Sequence, residues 1–365
     1  MSTRAAEAGS EPTGEAAGAD ARGRVEQRTV APQEAGWRLD RWIRAHLPGL
    51  AFGQLQKLLR TGQFRVDGKR ATAGLRLAAG QIVRIPPLPE AARSAAREGE
   101  RPRRRGLGPG DRAFARSLVI YEDARIIALN KPPGLAVQGG TATTRHVDAL
   151  LEAFARSGEK PRLVHRLDRD TSGVLVVART AEVARELGFA LQQHRLRKLY
   201  WAILVGGPPR NEGVIDLPLA KRGPPGREKV EPAADTEEDE AARWAKTEFK
   251  VLARAGKVAS WVALLPLTGR THQLRAHCAA LGAPILGDGK YGGKAAHPKG
   301  APKGLMLHAR ELELPGPKGK PLRITAEPPS AFREALAWLG LARPELPGAT
   351  LDDWPVRGED RAADR

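Results

Sequence analysis

Cysteine is nearly absent from this chain, because Cys278 is the only one among 365 residues. An intrachain disulfide is therefore excluded, and a reducing compartment is expected, for which we predict the cytoplasm. The sequence also lacks the CxxC and HExxH spacings of zinc sites, so no metal is predicted. No segment approaches the roughly 18 consecutive apolar residues of a membrane-spanning helix, and the N-terminus has no apolar signal core.

Basic residues, by contrast, are abundant. Lysine and arginine number 60 against 42 aspartates and glutamates, which gives a formal net charge of +18. Such an excess favours polyanions, because each phosphate that a cationic side chain neutralises releases condensed counterions. An anionic membrane surface is the competing partner, but without a spanning segment we predict nucleic acid and no membrane.

Composition divides the chain into two folded domains with irregular segments around them. The N-terminal segment is rich in Ala, Gly and Glu and is predicted to be disordered. A stretch with few large apolar residues and the run Arg103-Arg104-Arg105 is predicted to be a flexible basic linker. The predicted parts are a tail (1–35), a small domain (36–87), the linker (88–113), a large domain (114–342) and a C-terminal tail (343–365).

The small domain is predicted to contain two helices followed by two strands. Apolar residues at helical spacing begin at Leu39, and a second short helix ends at Gly62. Asp67-Gly68 then predicts a hairpin turn. Basic side chains surround these elements, either as a solvated face or as RNA contacts. The candidates for RNA contact are Arg38, Arg41, Lys57, Arg60, Arg65 and Lys69.

The large domain has more predicted strands than helices, and hairpin signals recur along it. This pattern predicts an α+β fold around a mainly antiparallel, mixed sheet. A polar insertion at residues 222–243, with an acidic run at 236–240, interrupts the pattern. Residues 271–282 form a predicted helix that Thr271 caps and Gly282 ends.

The stretch RLVHRLDRDTSG, residues 162–173, places two aspartates and three arginines directly before the apolar run VLVVA. Asp168 and Asp170 are two positions apart, a spacing that puts side chains on one face only in a regular strand. One interpretation is an ion-pair cluster that neutralises both aspartates. The other is a catalytic carboxylate at the mouth of a buried strand. Ser172 does not form a G-x-S-x-G nucleophile elbow, because Asp170 stands where glycine is required.

A second polar cluster lies in residues 266–293. Arg270 precedes the predicted helix and Arg275 lies within it, and a guanidinium group suits either a carboxylate or a phosphate. His272 and His277 suggest a metal site, but structural roles are favoured because no second group of ligands with metal spacing exists.

Lys198 and Tyr200 share one face of the predicted strand KLYWAILVG. An aromatic side chain on a strand commonly packs in the core. In a basic, RNA-binding chain, the alternative for Tyr200 is stacking on a base that has been extruded from the RNA.

Together these segments resemble the RluA-type pseudouridine synthases. HRLDRDTSG, residues 165–173, matches the H-R-L-D-x-x-T-S-G motif of that family, and TGRTHQLR, residues 268–275, matches its T-G-R-T-H-Q-(I/L)-R motif. Residues 122–123 and 130–134 match its first motif. The likeness extends over about residues 36–340 and is greatest to the RluC-like branch, which modifies large-subunit ribosomal RNA.

The small domain resembles the S4 RNA-binding domain. RLD at residues 38–40, LRTG at 59–62 and FRVDG at 64–68 match the pattern of that domain. The resemblance therefore implies that RNA, in particular large-subunit ribosomal RNA, is the partner, and we expect the protein to act as a monomer.

The resemblance to the synthases implies an isomerase that converts uridine within RNA to pseudouridine. No cofactor is expected, since nothing is oxidised and no group leaves the site. Asp168 is the implied catalytic aspartate, through abstraction of the C2′ proton, attack on C1′ or addition to C6. Arg275 is its implied partner, with Arg270 as the second candidate and phosphate as its other ligand. Tyr200 is implied to stack on the uracil. The residues implied to shape the loop or bind the substrate are His165, Arg166 and Lys198.

Two other functions are compatible with the same residues. A non-catalytic RNA-binding protein would have no use for Asp168. A metal-dependent nuclease would need clustered carboxylates, and the sequence offers none beyond Asp168 and Asp170.

Overall fold

A computed structural model describes residues 25–88, 107–139, 145–156, 158–224, 228–233, 241–316, 319–341 and 348–354. The chain divides into two compact units, Met1–Gly106 and Leu107–Arg365. Each unit has its own buried apolar clusters.

The first unit joins two helices to a small antiparallel sheet. Its helices are α1 (Leu39–His46) and α2 (Phe52–Arg60), and its strands are β1 (Glu26–Thr29), β2 (Arg65–Val66), β3 (Lys69–Arg70) and β4 (Ile82–Ile85). The strand order is β1-β4-β2-β3. The predicted order of two helices and a hairpin is therefore present, the stretch QIVRI forms the further short strand expected of it as β4, and β1 is added at the edge of the sheet.

Local sequence explains these elements. Leu39, Trp42 and Ile43 are all buried on α1, at the spacing that forms one apolar helix face. The hairpin between β2 and β3 turns at Asp67 and Gly68, whose φ angles of 48° and 75° are the left-handed pair that a tight two-residue hairpin requires.

The start of this unit differs from the sequence prediction, which assigned residues 1–35 to a tail. Residues 1–24 lie outside the described residues, but β1 pairs with β4 and Val30 is buried in the core. The strand EQRT has no apolar residue, so composition gave no sign of it. Its backbone hydrogen bonds to β4 hold it in place.

The second unit is built on a large mixed sheet with helices packed around it. Its helices are α3 (Pro109–Ser117), α4 (Val147–Leu150), α5 (Ala181–Gln192), α6 (Gln273–Ala280) and α7 (Ser330–Trp338). Its strands begin with β5 (Val119–Glu122), β6 (Ile126–Lys131), β7 (Arg162–Leu163), β8 (Ser172–Ala178), β9 (Arg197–Val205) and β10 (Glu212–Asp216). They continue with β11 (Leu219–Arg222), β12 (Lys229–Pro232), β13 (Ala242–Arg243), β14 (Lys246–Ala255), β15 (Ala259–Pro266), β16 (Leu307–Pro315) and β17 (Pro321–Thr325).

The ten-stranded sheet has the order β10-β14-β15-β9-β16-β8-β6-β5, with β17 paired to β16 and β7 paired to β8. Among its described strands, β8 and β16 form the one parallel pair. The predicted α+β fold with a mainly antiparallel, mixed sheet is confirmed. Strand β8, which contains the apolar run VLVVA, is buried along its whole length, as a central strand covered on both faces should be.

Gly173 allows β8 and β16 to approach closely. Its φ is +110°, and a Cβ atom at this position would lie 2.1 Å from the carbonyl oxygen of Ala309. A larger residue would therefore separate the two strands and displace the loop that precedes β8, which carries Asp168.

Three boundaries of the large domain differ from the sequence prediction. Helix α3 begins at Pro109, inside the predicted linker. Ala115 on its inner face is buried, so this segment belongs to the folded domain. Leu351 and Trp354, in the predicted C-terminal tail, are also buried, and the amide of Leu351 donates to Glu311 at 2.8 Å. The predicted insertion contributes β12 and β13 to a three-stranded sheet with β11, while its acidic run lies outside the described residues.

Candidate active site

A cavity of about 580 Å³ brings together side chains from three separate parts of the sequence. The predicted catalytic and substrate-binding residues all line it: Asp168, Arg275, Tyr200, His165, Arg166, Arg270 and Lys198. Its volume is within the usual range for a small-molecule site, so it can hold one nucleotide turned out of an RNA chain.

Asp168 lies in the loop between β7 and β8, and its side chain is 25% exposed. Its two nearest basic side chains face the same oxygen: the Nη1 atom of Arg275 is 3.8 Å from Oδ2, and the Nε2 atom of His272 is 3.7 Å from it. Both separations exceed normal hydrogen-bond length. The carboxylate is therefore close to positive charge without being saturated by hydrogen bonds from these two side chains.

The neighbouring Asp170 has a different environment. It is paired with Arg169 at 3.1 Å, and both side chains are largely exposed. The ion-pair interpretation of the motif therefore applies to Asp170, whereas Asp168 points to the cavity.

Lys131 stabilises the loop that carries Asp168 through hydrogen bonds to backbone carbonyl oxygens. It is fully buried, and its ammonium group donates hydrogen bonds of 2.9 Å to the carbonyl oxygens of Pro132, Leu135 and Arg169. Burial lowers the pKa of Lys131 to about 8, although the charges of Asp170 and Asp168 oppose this shift. This lysine belongs to the first motif and was not among the predicted site residues.

Arg275, on α6, is held by a second carboxylate. Its Nε and Nη2 atoms each donate to a different oxygen of Asp288 at 2.8 Å, and the Asp288 side chain is completely buried. Asp288 also accepts from the amides of Lys290 and Tyr291 at 3.1 Å. The predicted neighbour of Asp168 is thus in place, but its closest partner is Asp288.

This arrangement keeps Arg275 charged. Burial acts to lower its pKa, but the hydrogen bonds and charge of Asp288, together with the charge of Asp168, raise it above the ordinary value. A bidentate pair fixes the plane of a guanidinium group. The third nitrogen, Nη1, is therefore directed to Asp168 by the geometry at Asp288.

Gln273 organises the loop that carries the second motif. Its side-chain oxygen accepts from the hydroxyl of Thr268 at 2.7 Å and from the amide of Arg270 at 3.0 Å. Its side-chain nitrogen donates to the carbonyl of Lys246 and the hydroxyl of Thr247, both at 2.9 Å. These bonds tie the loop to the start of β14.

One expectation for this loop was wrong. Thr271 does not cap the helix, because α6 begins at Gln273 and its N-cap is His272, with φ 53° and ψ 19°. Arg270 is exposed and donates from Nε to the carbonyl of Trp244 at 2.9 Å, and its neighbour Trp244 is itself 44% exposed. Arg270 therefore lies at the exposed rim of the cavity.

Tyr200 and Lys198 lie on β9 at the wall of the cavity. Burial raises the pKa of the Tyr200 hydroxyl, and the charge of Asp168 raises it further. Tyr200 therefore stays protonated and neutral. Burial also lowers the pKa of Lys198. A neutral ring beside a carboxylate is suited to contact with a flat, polar base.

His165 has a structural function in this arrangement. Its Nε2 atom accepts a hydrogen bond of 2.9 Å from the amide of Val176, which attaches the loop to β8. Burial, assisted by the charge of Lys198, lowers the pKa of His165 to about 3, so the ring is neutral. Its implied role of shaping the loop fits these contacts, while Arg166, the next residue in the motif, is exposed.

The sequence analysis did not identify Asp288, Lys131 or His272 as functional residues. The turn before Asp288 requires Gly287, which has φ +80° and at which a Cβ atom would lie 1.8 Å from the carbonyl oxygen of Gly304. A position that admits only glycine marks a tight turn, and Asp288 is the residue which that turn orients.

Neither a metal site nor a membrane segment is found in the described parts of the chain. They contain no group of three or more His, Cys, Asp or Glu side chains that could hold a metal ion. Among the described helices, none has both the length and the apolar character needed to cross a bilayer. Both ring nitrogens of His277 are hydrogen-bonded within the fold. Nδ1 lies 2.9 Å from the hydroxyl oxygen of Thr247, and Nε2 lies 3.0 Å from the carbonyl oxygen of Leu217.

Comparison with known proteins identifies the family. The family described as RNA pseudouridylate synthase matches residues 125–280. The ribosomal large subunit pseudouridine synthase C of Salmonella typhimurium is 34% identical over 322 residues, which is 86% of this chain and 96% of that protein. The chain belongs to the RNA pseudouridylate synthase family.

Other members of the family agree with this assignment. The Escherichia coli protein named ribosomal large subunit pseudouridine synthase C is also 34% identical, over 86% of this chain and 96% of its own length. Among solved structures, human RNA pseudouridylate synthase domain containing 4 is 29% identical and superposes with a TM-score of 0.53. That likeness covers 65% of this chain and 99% of the human one. The protein is therefore an RNA pseudouridine synthase, an isomerase.

Proposed function

We propose that this pseudouridine synthase isomerises uridines in large-subunit ribosomal RNA, with Asp168 as the catalytic carboxylate. The observation that carries the proposal is the arrangement of Asp168 beside Arg275 at the wall of a nucleotide-sized cavity. The names and coverage of the bacterial relatives support ribosomal RNA as the substrate.

The positions of the side chains in the cavity support a separate role for each of them. Arg275 places a positive charge 3.8 Å from Oδ2 of Asp168, where it attracts and orients the carboxylate. Arg275 and His272 both face Oδ2, so Oδ1 is the oxygen available to the ribose or the uracil. Tyr200 contacts the base, while Arg270 and Arg166 at the rim bind phosphate.

The reaction needs no outside group. The bond between N1 and C1′ breaks, the base rotates, and C5 bonds to C1′. The proton lost from C5 is balanced by the proton gained on N1. The protein must therefore supply a carboxylate, a pocket that holds the detached base, and contacts that keep the ribose in place.

A tritium-release assay tests the proposal, because a tritium atom on uridine C5 is lost only when C5 forms its new bond. Asp168→Asn should stop tritium release from a large-subunit ribosomal RNA transcript while still binding the RNA. Asp170→Asn is the matched control, since it makes the same change two residues away at an exposed ion pair. Retained activity in Asp168→Asn would refute the catalytic assignment. Release from transfer RNA transcripts alone would refute the substrate.

We infer further that the unit containing residues 25–88 is an S4-type RNA-binding domain. The motifs at 38–40, 59–62 and 64–68 and the order of its helices and strands support this inference. The candidate basic residues are all exposed: Arg38, Arg41, Lys57, Arg60, Arg65 and Lys69. Arg38 is partly occupied by Asp40, with bonds of 3.2 and 2.9 Å, so the other five are better placed to meet phosphate.

We also propose that the enzyme acts as a monomer in the cytoplasm. Its lone cysteine, Cys278, is buried, and burial raises the pKa of this thiol to about 12, so it is a poor nucleophile for disulfide formation. Light scattering of the purified protein and fractionation of cells that express it test these two statements. A stable dimer or a membrane-bound fraction would refute them.

A further inference from the structure

His272 adopts a backbone conformation that is uncommon for its residue type. Its φ of 53° and ψ of 19° lie in the left-handed region, where a residue other than glycine is strained. The same residue contacts the candidate catalytic carboxylate, since its Nε2 atom is 3.7 Å from Oδ2 of Asp168. Strain at a contact of this kind indicates that the position of the side chain matters more than local backbone energy.

The other ring nitrogen of His272 is bound by Tyr291. The distance from Nδ1 to the Tyr291 hydroxyl oxygen is 2.9 Å, and the two rings meet edge to face with centroids 5.7 Å apart. Tyr291 is held in turn by β12, because the amide of Val230 donates to its hydroxyl oxygen at 3.2 Å. A continuous chain of contacts therefore runs from β12 through Tyr291 and His272 to Asp168.

The donor and the acceptor of each hydrogen bond in this series of contacts can be assigned. The Tyr291 oxygen already accepts from Val230, so its own proton is available to the nearby Nδ1 atom of His272. An Nδ1 atom that accepts leaves the single proton of a neutral ring on Nε2. The contact between Nε2 of His272 and Asp168 favours the same tautomer, because a carboxylate oxygen is an acceptor and requires a donor opposite it.

Charged groups surround this histidine on several sides. Asp168 and Asp288 are the acidic neighbours, while Arg275 and Lys290 are the basic ones. Burial lowers the pKa of His272, with Asp168 opposing that shift, so the ring is neutral at pH 7. Lys229, 5.5 Å from the centre of the Tyr291 ring, is the charge that β12 adds.

We propose that Tyr291 is a positioning residue that fixes the tautomer of His272, so that a neutral N–H group faces Oδ2 of the reactive aspartate. This inference rests on the proposed role of Asp168. A neutral donor orients the carboxylate without removing its charge, which leaves Oδ1 ready to react. By this account, β12 is a support of the active site, although it lies in a segment that appeared from sequence to be a polar insertion.

Tyr291→Phe removes the hydroxyl and keeps the ring. The expected result is a fall of about 10-fold in kcat for tritium release with little change in RNA affinity, because the donor is misoriented and the pocket is preserved. Tyr121→Phe is the matched control, since it removes a hydroxyl bound to Asp123 at 3.0 Å in the same unit. It should leave kcat unchanged.

Nitrogen-15 NMR of labelled histidine separates this positioning role from a merely structural one. In the unaltered protein at pH 7, His272 should show a pyrrole-type shift at Nε2 and a pyridine-type shift at Nδ1, and Tyr291→Phe should mix the two tautomers. An Nδ1–H or doubly protonated ring in the unaltered protein would overturn the proposal, even if the variant folds poorly. So would unchanged kcat in Tyr291→Phe. Either of these results would overturn only the role of Tyr291. The proposed function would still be supported if Asp168→Asn is inactive in the same assay.

Discussion

Two aspartates face the same arginine in this enzyme, and their surroundings are opposite. Asp288 is completely buried, and both of its oxygens receive hydrogen bonds of 2.8 Å from Arg275. Asp168 is 25% exposed, and its nearest contact with Arg275 is 3.8 Å long. The same type of residue therefore holds the guanidinium at one end and is left free to react at the other.

The difference has a simple electrostatic meaning. A buried ion pair with two good hydrogen bonds keeps both partners charged and fixes their geometry. A carboxylate at a longer distance keeps most of its ability to bind a proton or an electrophile. Preorganised charge of this kind can stabilise a transition state without rearrangement during the reaction.

Removing the shared arginine should have the largest effect. Arg275→Met deprives Asp168 of its cation and leaves Asp288 buried without a partner. We expect tritium release to fall about 1000-fold and the free energy of unfolding to fall by about 3 kcal/mol. Arg270→Met is the comparison variant, because Arg270 lies at the rim and bonds to Trp244. It should weaken RNA binding while kcat at saturating RNA changes little; equal losses of kcat would mean that Arg270 is the partner of Asp168.

Asp288→Asn should have a smaller effect on activity, because the arginine remains but is no longer held by a charged partner. We expect kcat to fall about 100-fold through misplacement of Nη1, with RNA affinity nearly unchanged. Single-turnover tritium release and filter binding measure the two quantities. Full activity in a folded Asp288→Asn protein would show that Asp168 needs no fixed arginine.

Lys131→Met tests the support beneath the Asp168 loop. The variant loses three hydrogen bonds to carbonyl oxygens. The loop should shift, and tritium release should fall about 10-fold. Lys160→Met is a useful control, since Lys160 also bonds a backbone carbonyl in this unit, that of Asp148 at 2.9 Å. A loss of the same size in both variants would indicate general destabilisation.

The pKa of Lys131 adds a pH dependence with a definite sign. Burial lowers this pKa from 10.5 to about 8, so the charged form, which donates all three bonds, predominates below pH 8. Activity should decline as pH rises through 8, and Lys131→Met should lack that decline. Between pH 8 and 10.5 the unfolded chain binds the proton that the folded protein has released. The contribution of Lys131 to the free energy of unfolding therefore rises with pH in that window.

The smallest effect on chemistry should come from the first unit. Changing Lys57, Arg60 and Lys69 together to Gln should lower the slope of log affinity against log salt by about 2, at roughly 0.7 per lost contact with single-stranded phosphate. The rate at saturating RNA should not change. The charge-matched control changes Lys257, Lys299 and Lys303, which are exposed in the second unit. Equal slopes for both triple variants would argue against an S4-type RNA-binding domain.

Much of the fold could be predicted from local sequence. Periodicity located α1, and the Asp67-Gly68 pair located a hairpin, because these signals act within a few residues. Strand β1 gave no such signal, since its hydrogen bonds to β4 join residues more than fifty positions apart. The strands β12 and β13 of the predicted insertion are also short and polar, and they were missed because their composition resembles that of a loop.

The sequence predicted several of the residues that form the site, but it did not predict how they contact one another. Motif likeness indicated seven of the residues that line the cavity, and the structure brings them together. It could not reveal that Asp288 is the closer partner of Arg275, because that contact depends on the turn at Gly287. Nor could it reveal the left-handed backbone of His272, which only the packing of Tyr291 and Asp168 around the ring explains.

The division of labour between the two aspartates can be measured directly. Asp168→Asn and Asp288→Asn should be compared for tritium release and for the free energy of unfolding in urea. We predict that Asp168→Asn loses at least about 1000-fold in activity with stability within about 0.5 kcal/mol of the unaltered protein, whereas Asp288→Asn loses about 3 kcal/mol of stability. A folded, RNA-binding Asp168→Asn protein with activity near that of the unaltered enzyme would contradict the account.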